Sequence, residues 1–387
     1  MRVTALAGGV GGARFLRGLL HHLPVRGGGA DGVTGAQVTV IGNTADDVTL
    51  HGLRVCPDLD TVMYTLGGGV HEGQGWGRAE ETHSVSQELR AYGSGPDWFT
   101  LGDRDLATHI ARTRMLGQGQ TLSQVTATLC RRWQPGVRLL PMSDDRVETH
   151  VVLADPDHPG EDGAVGEHAV HFQEWWVRLH AAVPARRILA VGIEQARPAP
   201  GVLAAIAEAD VVLLPPSNPV VSIGTILGVP GVRDALRATA APVVGVSPIV
   251  GDAPIRGMAD ACLTAIGVDT SAAAVAGLYA DFLDGWLVDE ADGAAVGRGD
   301  VKAAVRARPL LMTDVEAAAA IAAAALDLAD EIRAGQSSET RADETRTHET
   351  RTHETRARET RTDENRTDEN RARETRARET RVGGPVP

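Results

Sequence analysis

The chain has 387 residues, 43% of them apolar, enough for one large α/β domain or two smaller ones. Its net charge of -13 argues against a duplex nucleic-acid surface, which needs clustered cations to displace counterions. Cys56, Cys130 and Cys262 are too scattered for a zinc site or a disulfide framework, and no signal-like start or apolar span appears, so a cytoplasmic protein without a membrane partner is expected.

Residues 3–7 read as a strand, and Gly8-Gly9-Val10-Gly11-Gly12-Ala13-Arg14 follows as a turn into a helix carrying Phe15, Leu16, Leu19 and Leu20. Glycines there let backbone N–H groups approach a phosphate, with Arg14 as an added cation. The motif lacks the final glycine of the dinucleotide fingerprint and the Gly-Lys-Ser/Thr of a P-loop, and a turn with no ligand is the plainer alternative. The next strand, Val38 to Ile41, runs into Asn43-Thr44-Ala45-Asp46-Asp47, placing two acids past a strand's carboxyl end, where open α/β sheets bind ligands. In Cys56-Pro57-Asp58-Leu59-Asp60, two acids stand two residues apart and point to one side if the segment is extended. Asp46, Asp47, Asp58 and Asp60 are therefore candidate ligands for Mg²⁺, although an Asp60 that caps the following helix explains its position as well.

Residues 67–185 read differently, as a helical, Trp-rich cap or insertion. Asp97 to His109 gathers Trp98, Phe99, Asp103, Arg104 and His109; the aromatics suit stacking on a flat ring and Arg104 suits a phosphate, whereas Asp103 as a helix cap is the structural alternative. Leu140 to His150 forms a second polar cluster. Trp175 and Trp176 serve either as a wall for a polycyclic ligand or as a hinge of the cap. Strand-like runs at Arg187 to Val191, Val211 to Leu214 and Val243 to Val246, each followed by a helical pattern, argue for a mostly parallel, Rossmann-like sheet with helices on both faces. Residues 1–66 and 186–333 would form this core. Ser217 and Asn218, just past Leu214, are placed to meet a nucleotide. Ala317 to Leu328 reads as a packed helix.

From Glu339 to Arg381 the chain repeats every five residues, with 12 acids balanced by 12 arginines. No aliphatic residue is offered for burial, so residues 334–387 are expected to be a disordered tail, with a helix stitched by Glu/Arg pairs as the alternative. The repeat-borne His348 and His353 suggest no site.

Gly8 to Arg14, Asn43 to Asp47, Pro57 to Thr61, Leu101 to His109, Leu140 to His150, Phe172 to Trp176, Pro216 to Gly224, Ser247 to Pro254 and Leu310 to Asp314 occur in this order. Together they resemble the 2-phospho-L-lactate transferase (CofD-like) family of coenzyme F420 biosynthesis, over nearly all of residues 1–330. His51 to Cys56 and Trp133 to Gly136 are most similar to its actinobacterial branch. The resemblance implies an Mg²⁺-dependent transferase in which a ribityl hydroxyl of the deazaflavin Fo attacks a phosphorus of enolpyruvyl-diphospho-5′-guanosine. A phosphodiester forms, giving dehydro coenzyme F420-0, and GMP leaves.

On this reading Asp46, Asp47 and Asp60 are catalytic, and Asp46, Asp47, Asp58 and Asp60 hold the metal. Gly8, Gly9, Gly11, Gly12, Arg14, Ser217 and Asn218 bind the donor, and Asp58, Trp98, Arg104 and Trp175 bind Fo. The expected partners are these small molecules, and the expected assembly is a homodimer. A lactyl donor giving F420-0 stays open, as does a non-catalytic regulator of the same fold that binds a nucleotide sugar. A Rossmann oxidoreductase would need the missing glycine and a single ribose-binding acid.

Overall fold

The computed structural model describes residues 1–26, 35–155, 165–296 and 301–382. Its strands are β1 (Arg2–Ala7), β2 (Gln37–Gly42), β3 (Val48–Leu50), β4 (Leu53–Val55), β5 (Arg138–Pro141), β6 (Glu148–Asp155), β7 (Gly166–His171), β8 (Ala185–Val191), β9 (Val211–Leu214), β10 (Val243–Val246), β11 (Ile249–Val250), β12 (Ala253–Pro254), β13 (Gly285–Val288) and β14 (Ala304–Ala307). Seven of them form one sheet in the order β14-β13-β10-β9-β1-β2-β5, and every pairing in it is parallel. The chain builds outward from β1 to β5 on one side, then returns and builds from β9 to β14 on the other. The order reverses between β1 and β9, and it is outside the carboxyl ends of the strands at such a reversal that open α/β sheets bind ligands.

Alternation within each strand divides the core in two. Val3, Ala5, Val38, Val40, Val211, Leu213, Val244 and Leu287 face one layer, packed on α1 (Gly9–Arg26), α2 (Pro57–Leu66) and the first part of α12 (Val315–Val382). Leu6, Ile41, Val212, Leu214, Val243, Trp286 and Val288 face the opposite layer, packed on α6 (Val202–Ala207), α7 (Thr225–Gly228), α8 (Val232–Ala238), α9 (Ala259–Ala265) and α10 (Ala272–Gly277). Continuously apolar strands result because both faces are covered. The Ala-rich stretch is a packed helix as expected, with Ile321, Ala322, Ala325 and Leu328 buried. No helix among the described residues is long and apolar enough to cross a membrane.

The division at residues 67 and 185 needs correction. β5 lies inside that span yet forms the edge of the main sheet against β2. Arg187 to Val191, expected in the parallel sheet, belongs to β8, which pairs antiparallel with β6 in a separate sheet ordered β7-β6-β8. The half-exposed pattern of β8 is that of a sheet with one wet face, unlike the buried β9 and β10. Within the span, α3 (Ser84–Ala91), α4 (Asp103–Gly117) and α5 (Leu122–Trp133) are helical as expected.

The chain divides into two compact units, Met1–Ile332 and Arg333–Pro387. The second, expected to be disordered, is helical through Val382; residues 383–387 lie outside the described ones. The pentads set Arg three residues before Glu, as in Arg366/Glu369 and Arg371/Glu374, a spacing that suits opposite charges along a helix. Residues 365–378 are exposed all round, so this helix buries no face there.

Candidate active site

Gly8 and Gly9 turn the chain from β1 into α1, and Gly9 adopts φ +61, a conformation only glycine takes freely. A Cβ at Gly8 would stand 2.5 Å from Asp58 Oδ2 and 2.8 Å from the Ser222 side chain, and one at Gly11 would collide with the Pro216 carbonyl. The glycines thus let α1 settle against the loop that follows β9. Ser217 fastens that loop to this turn: its Oγ accepts from the Gly8 N–H at 3.1 Å and donates to the Gly8 carbonyl at 2.8 Å. Asn218 Oδ1 accepts from Val220 and Val221 N–H, capping the π-helical turn Pro219–Gly224. Ser217 and Asn218, two of the side chains expected to bind the donor, are therefore engaged in holding this loop in place.

Asn43 joins three segments. Its Nδ2 donates to Asp58 Oδ2 at 2.9 Å, and its Oδ1 accepts from the Ala45 N–H and from Thr225 Oγ1 at 2.8 Å. Asp46, Asp47, Asp58 and Asp60 are all buried. Burial raises Asp58 to about 6 against the hydrogen bonds of Asn43 and the Gly9 backbone. Burial, with repulsion from Asp58 and Asp47, holds Asp46 well above the carboxylate range. Burial raises Asp47 to about 7, opposed by the Arg54 charge 3.4 Å from its Oδ2. The β3–β4 hairpin brings Arg54 back to this point by a two-residue turn, His51 and Gly52, with φ of 50 and 75.

Asp60 lies in a different setting. Arg112, almost fully buried on α4, donates to its Oδ1, and His109 Nδ1 lies 3.7 Å from its Oδ2. His109 Nε2 meets Asp105 at 3.3 Å, and Tyr64 O–H donates to Asp105 at 2.7 Å. Two of the four acids, Asp47 and Asp60, are thus each matched by an arginine. Asp58 has only a neutral donor in Asn43, no cation acts on Asp46, and Asp46 Oδ1 is buried with no bond at all.

The expected acceptor side divides. Trp98 and Phe99 form a half-exposed aromatic group with Trp76, with ring centroids at 5.9 Å and 6.4 Å. Arg104 pairs with the exposed Glu80 at 2.9 Å, and Asp103, expected in its alternative reading to cap the helix from Arg104, is the first residue of α4 and instead accepts from the Ser84 and Val85 N–H groups at the start of α3. Trp175 must be corrected: it is fully buried with Phe172, Val151 and Val221, and its indole N–H donates to the Val183 carbonyl at 2.8 Å. A side chain without exposed surface cannot stack on an incoming ring. Asn43, Arg54 and Arg112 went unassigned from sequence because a single amide or arginine carries no motif; only Asn43, three residues before Asp46, had a nearby signal.

Residues 3–320 match the family described as 2-phospho-L-lactate transferase CofD. The chain belongs to this family. It is 63% identical over 337 residues to a phosphoenolpyruvate transferase of Kitasatospora aureofaciens, covering 87% of this chain and all of that one. It is also 63% identical to one from Thermobifida fusca, with 86% and 99% covered, and 55% identical to one from Mycolicibacterium smegmatis, with 85% and 99% covered. A crystal structure of a UPF0052 family member from Bacillus halodurans shares the fold, with a TM-score of 0.51 and 17% identity over 84% of this chain and 99% of that one.

The CofD resemblance implies Mg²⁺, and the acids here fit such an ion. Among the described residues no three His, Cys, Asp or Glu are arranged to enclose a metal. Magnesium asks for less, taking one or two carboxylates and completing its shell with water and substrate phosphate. Asp46 and Asp58, adjoining and unmatched by a cation, are the carboxylates that would take it. A pH effect follows. The folded pKa values of Asp47 and Asp58 lie above the unfolded value, so the native state binds more protons between about pH 4 and 7 and loses stability as pH rises through that window. Without divalent ions the melting temperature should fall from pH 5 to pH 8, and Mg²⁺ should restore it at pH 8 but not at pH 5. A Mg²⁺ effect equal at both values would remove these acids from the ion's site.

Proposed function

We propose that this chain transfers the phosphoenolpyruvyl group of enolpyruvyl-diphospho-5′-guanosine to the terminal ribityl hydroxyl of Fo, releasing GMP. The observation that carries this reading is the pair of buried carboxylates with no cation, Asp46 and Asp58, set against the glycine turn at the strand-order reversal. The relatives' name favours the enolpyruvyl donor over the lactyl one.

In this reading Asp46 and Asp58 hold Mg²⁺, which neutralises diphosphate charge when bound. Phosphoryl transfer asks the protein mainly for alignment and charge. The Gly8–Gly12 turn brings backbone close to the donor, while Asn43 fixes Asp58 and, through Thr225, ties it to the far wall. The hydroxyl's proton is taken up by Asp47, the acid outside the metal pair, which burial raises to about 7. Trp98, Phe99 and Trp76 offer the apolar surface for the deazaflavin.

Incubating the protein with Fo, Mg²⁺ and either guanosine donor, then weighing the products, tests the reading. Dehydro-F420-0 and GMP are expected from the enolpyruvyl donor. Turnover of the lactyl donor alone would reverse the donor assignment, and no product from either would favour a binding protein without transferase activity.

A further inference from the structure

Arg14, half-buried on α1, makes no hydrogen bond and has no acidic partner among the described residues. Arg256, on the loop between β12 and α9, donates to the Gln74 carbonyl. The two guanidinium groups converge on Gly75. A Cβ there would stand 3.5 Å from Arg256 Nη1 and 3.6 Å from Arg14 Nη2, and 2.7 Å from a Val10 methyl. Gly75 adopts φ +76, so both space and backbone call for glycine at this point. Three distant segments, α1, the loop at Gln74-Gly75 and the loop at Arg256, thus deliver two positive charges to one place.

Like charges brought together repel, and no carboxylate acts on Arg256 to offset this; burial and then the Arg14 charge make its proton easier to lose. In a chain of net charge -13, elsewhere rich in arginine–carboxylate pairs, the omission of an acid here is selective. A planar guanidinium fork matches the oxygens of a carboxylate or phosphate, and an incoming oxyanion would relieve the repulsion. Val10 and Arg14 are four residues apart and share one face of α1, the helix whose first residues adjoin Asp58.

We infer that Arg14 and Arg256 form a two-guanidinium seat for an acidic end of the donor. This rests on the proposed guanosine-diphosphate-linked substrate, which carries such a group at its three-carbon acid and at its guanylyl phosphate. The seat serves one of these ends, while Asp46 and Asp58 serve the metal.

Calorimetric titration of phosphoenolpyruvate and of GMP, at fixed Mg²⁺ and without Fo, tests this on wild type, Arg14→Gln, Arg256→Gln and Arg256→Lys. Both Gln variants should lose at least about tenfold in affinity for one probe and keep the other, while Lys recovers part of the loss because charge returns without the fork. Loss of phosphoenolpyruvate places the three-carbon acid in the seat; loss of GMP places the guanylyl phosphate there. Unchanged affinity for both probes in both Gln variants overturns the seat, as does a wild type that binds neither. Should one Gln variant fail to fold, the other and Gly75→Ala, which drives a methyl between the guanidinium groups, decide the matter. Since no turnover is measured, failure of the seat is distinguishable from failure of the transfer reaction.

Discussion

Arg112→Met should lower stability by about 3–5 kcal/mol, the cost of leaving a buried charge without its partner. Arg112 is almost fully buried and bonds directly to Asp60, itself buried in α2. Burial opposes the charge on both groups, and each offsets that cost for the other. The methionine fills the space but leaves Asp60 facing only His109, which is already engaged with Asp105. Urea unfolding of the single variant and of Arg112→Met/Asp60→Asn gives the test. The double variant should recover much of the loss, because no lone charge remains. A single-variant loss below about 1 kcal/mol would mean that water reaches the pair.

Asp46→Asn should act in the opposite sense on stability and far more severely on catalysis. Asp46 has no cationic partner and is repelled by Asp58 and Asp47, so neutralising it removes a cost in the metal-free protein and should raise the melting temperature at pH 8. Transfer should fall at least about 100-fold, roughly 2.7 kcal/mol of barrier, and the Mg²⁺-dependent rise in melting temperature should disappear. A variant that is stabilised but retains full activity would separate Asp46 from the metal. A variant that is destabilised would show that its charge has a partner after all.

The sheet was legible because its strands are continuously apolar and end in polar turns, as at Val211 to Leu214 before Pro215 to Asn218. β8 was misplaced because Arg187 to Val191 looks similar when alternation is judged over only a few residues. The early aspartates were legible as a group, since acids after a strand at a sheet's open end are unusual. Their division into arginine-matched and unmatched pairs was not, because Arg112 lies 52 residues from Asp60 and Arg54 reaches Asp47 only through a hairpin. Trp175 illustrates a limit of composition: scarce aromatics clustered in sequence serve a small core as readily as a ligand. The pentad tail was judged by its lack of burial, whereas Arg and Glu three residues apart support a helix locally.

Ser217 meets Gly8 across 209 residues, and Thr225 meets Asn43 across 182. At the ~5–20 residues per second of translation, the partner of Gly8 emerges roughly 10–40 s after it. Through that interval β1 has β2 beside it but no β9, and the acids of residues 46–60 face water, where their mutual repulsion is screened. The nascent chain therefore lacks the wall that Ser217 and Thr225 supply until β9 and the loop after it are made, and on the proposed reading a cation would be captured only after that point.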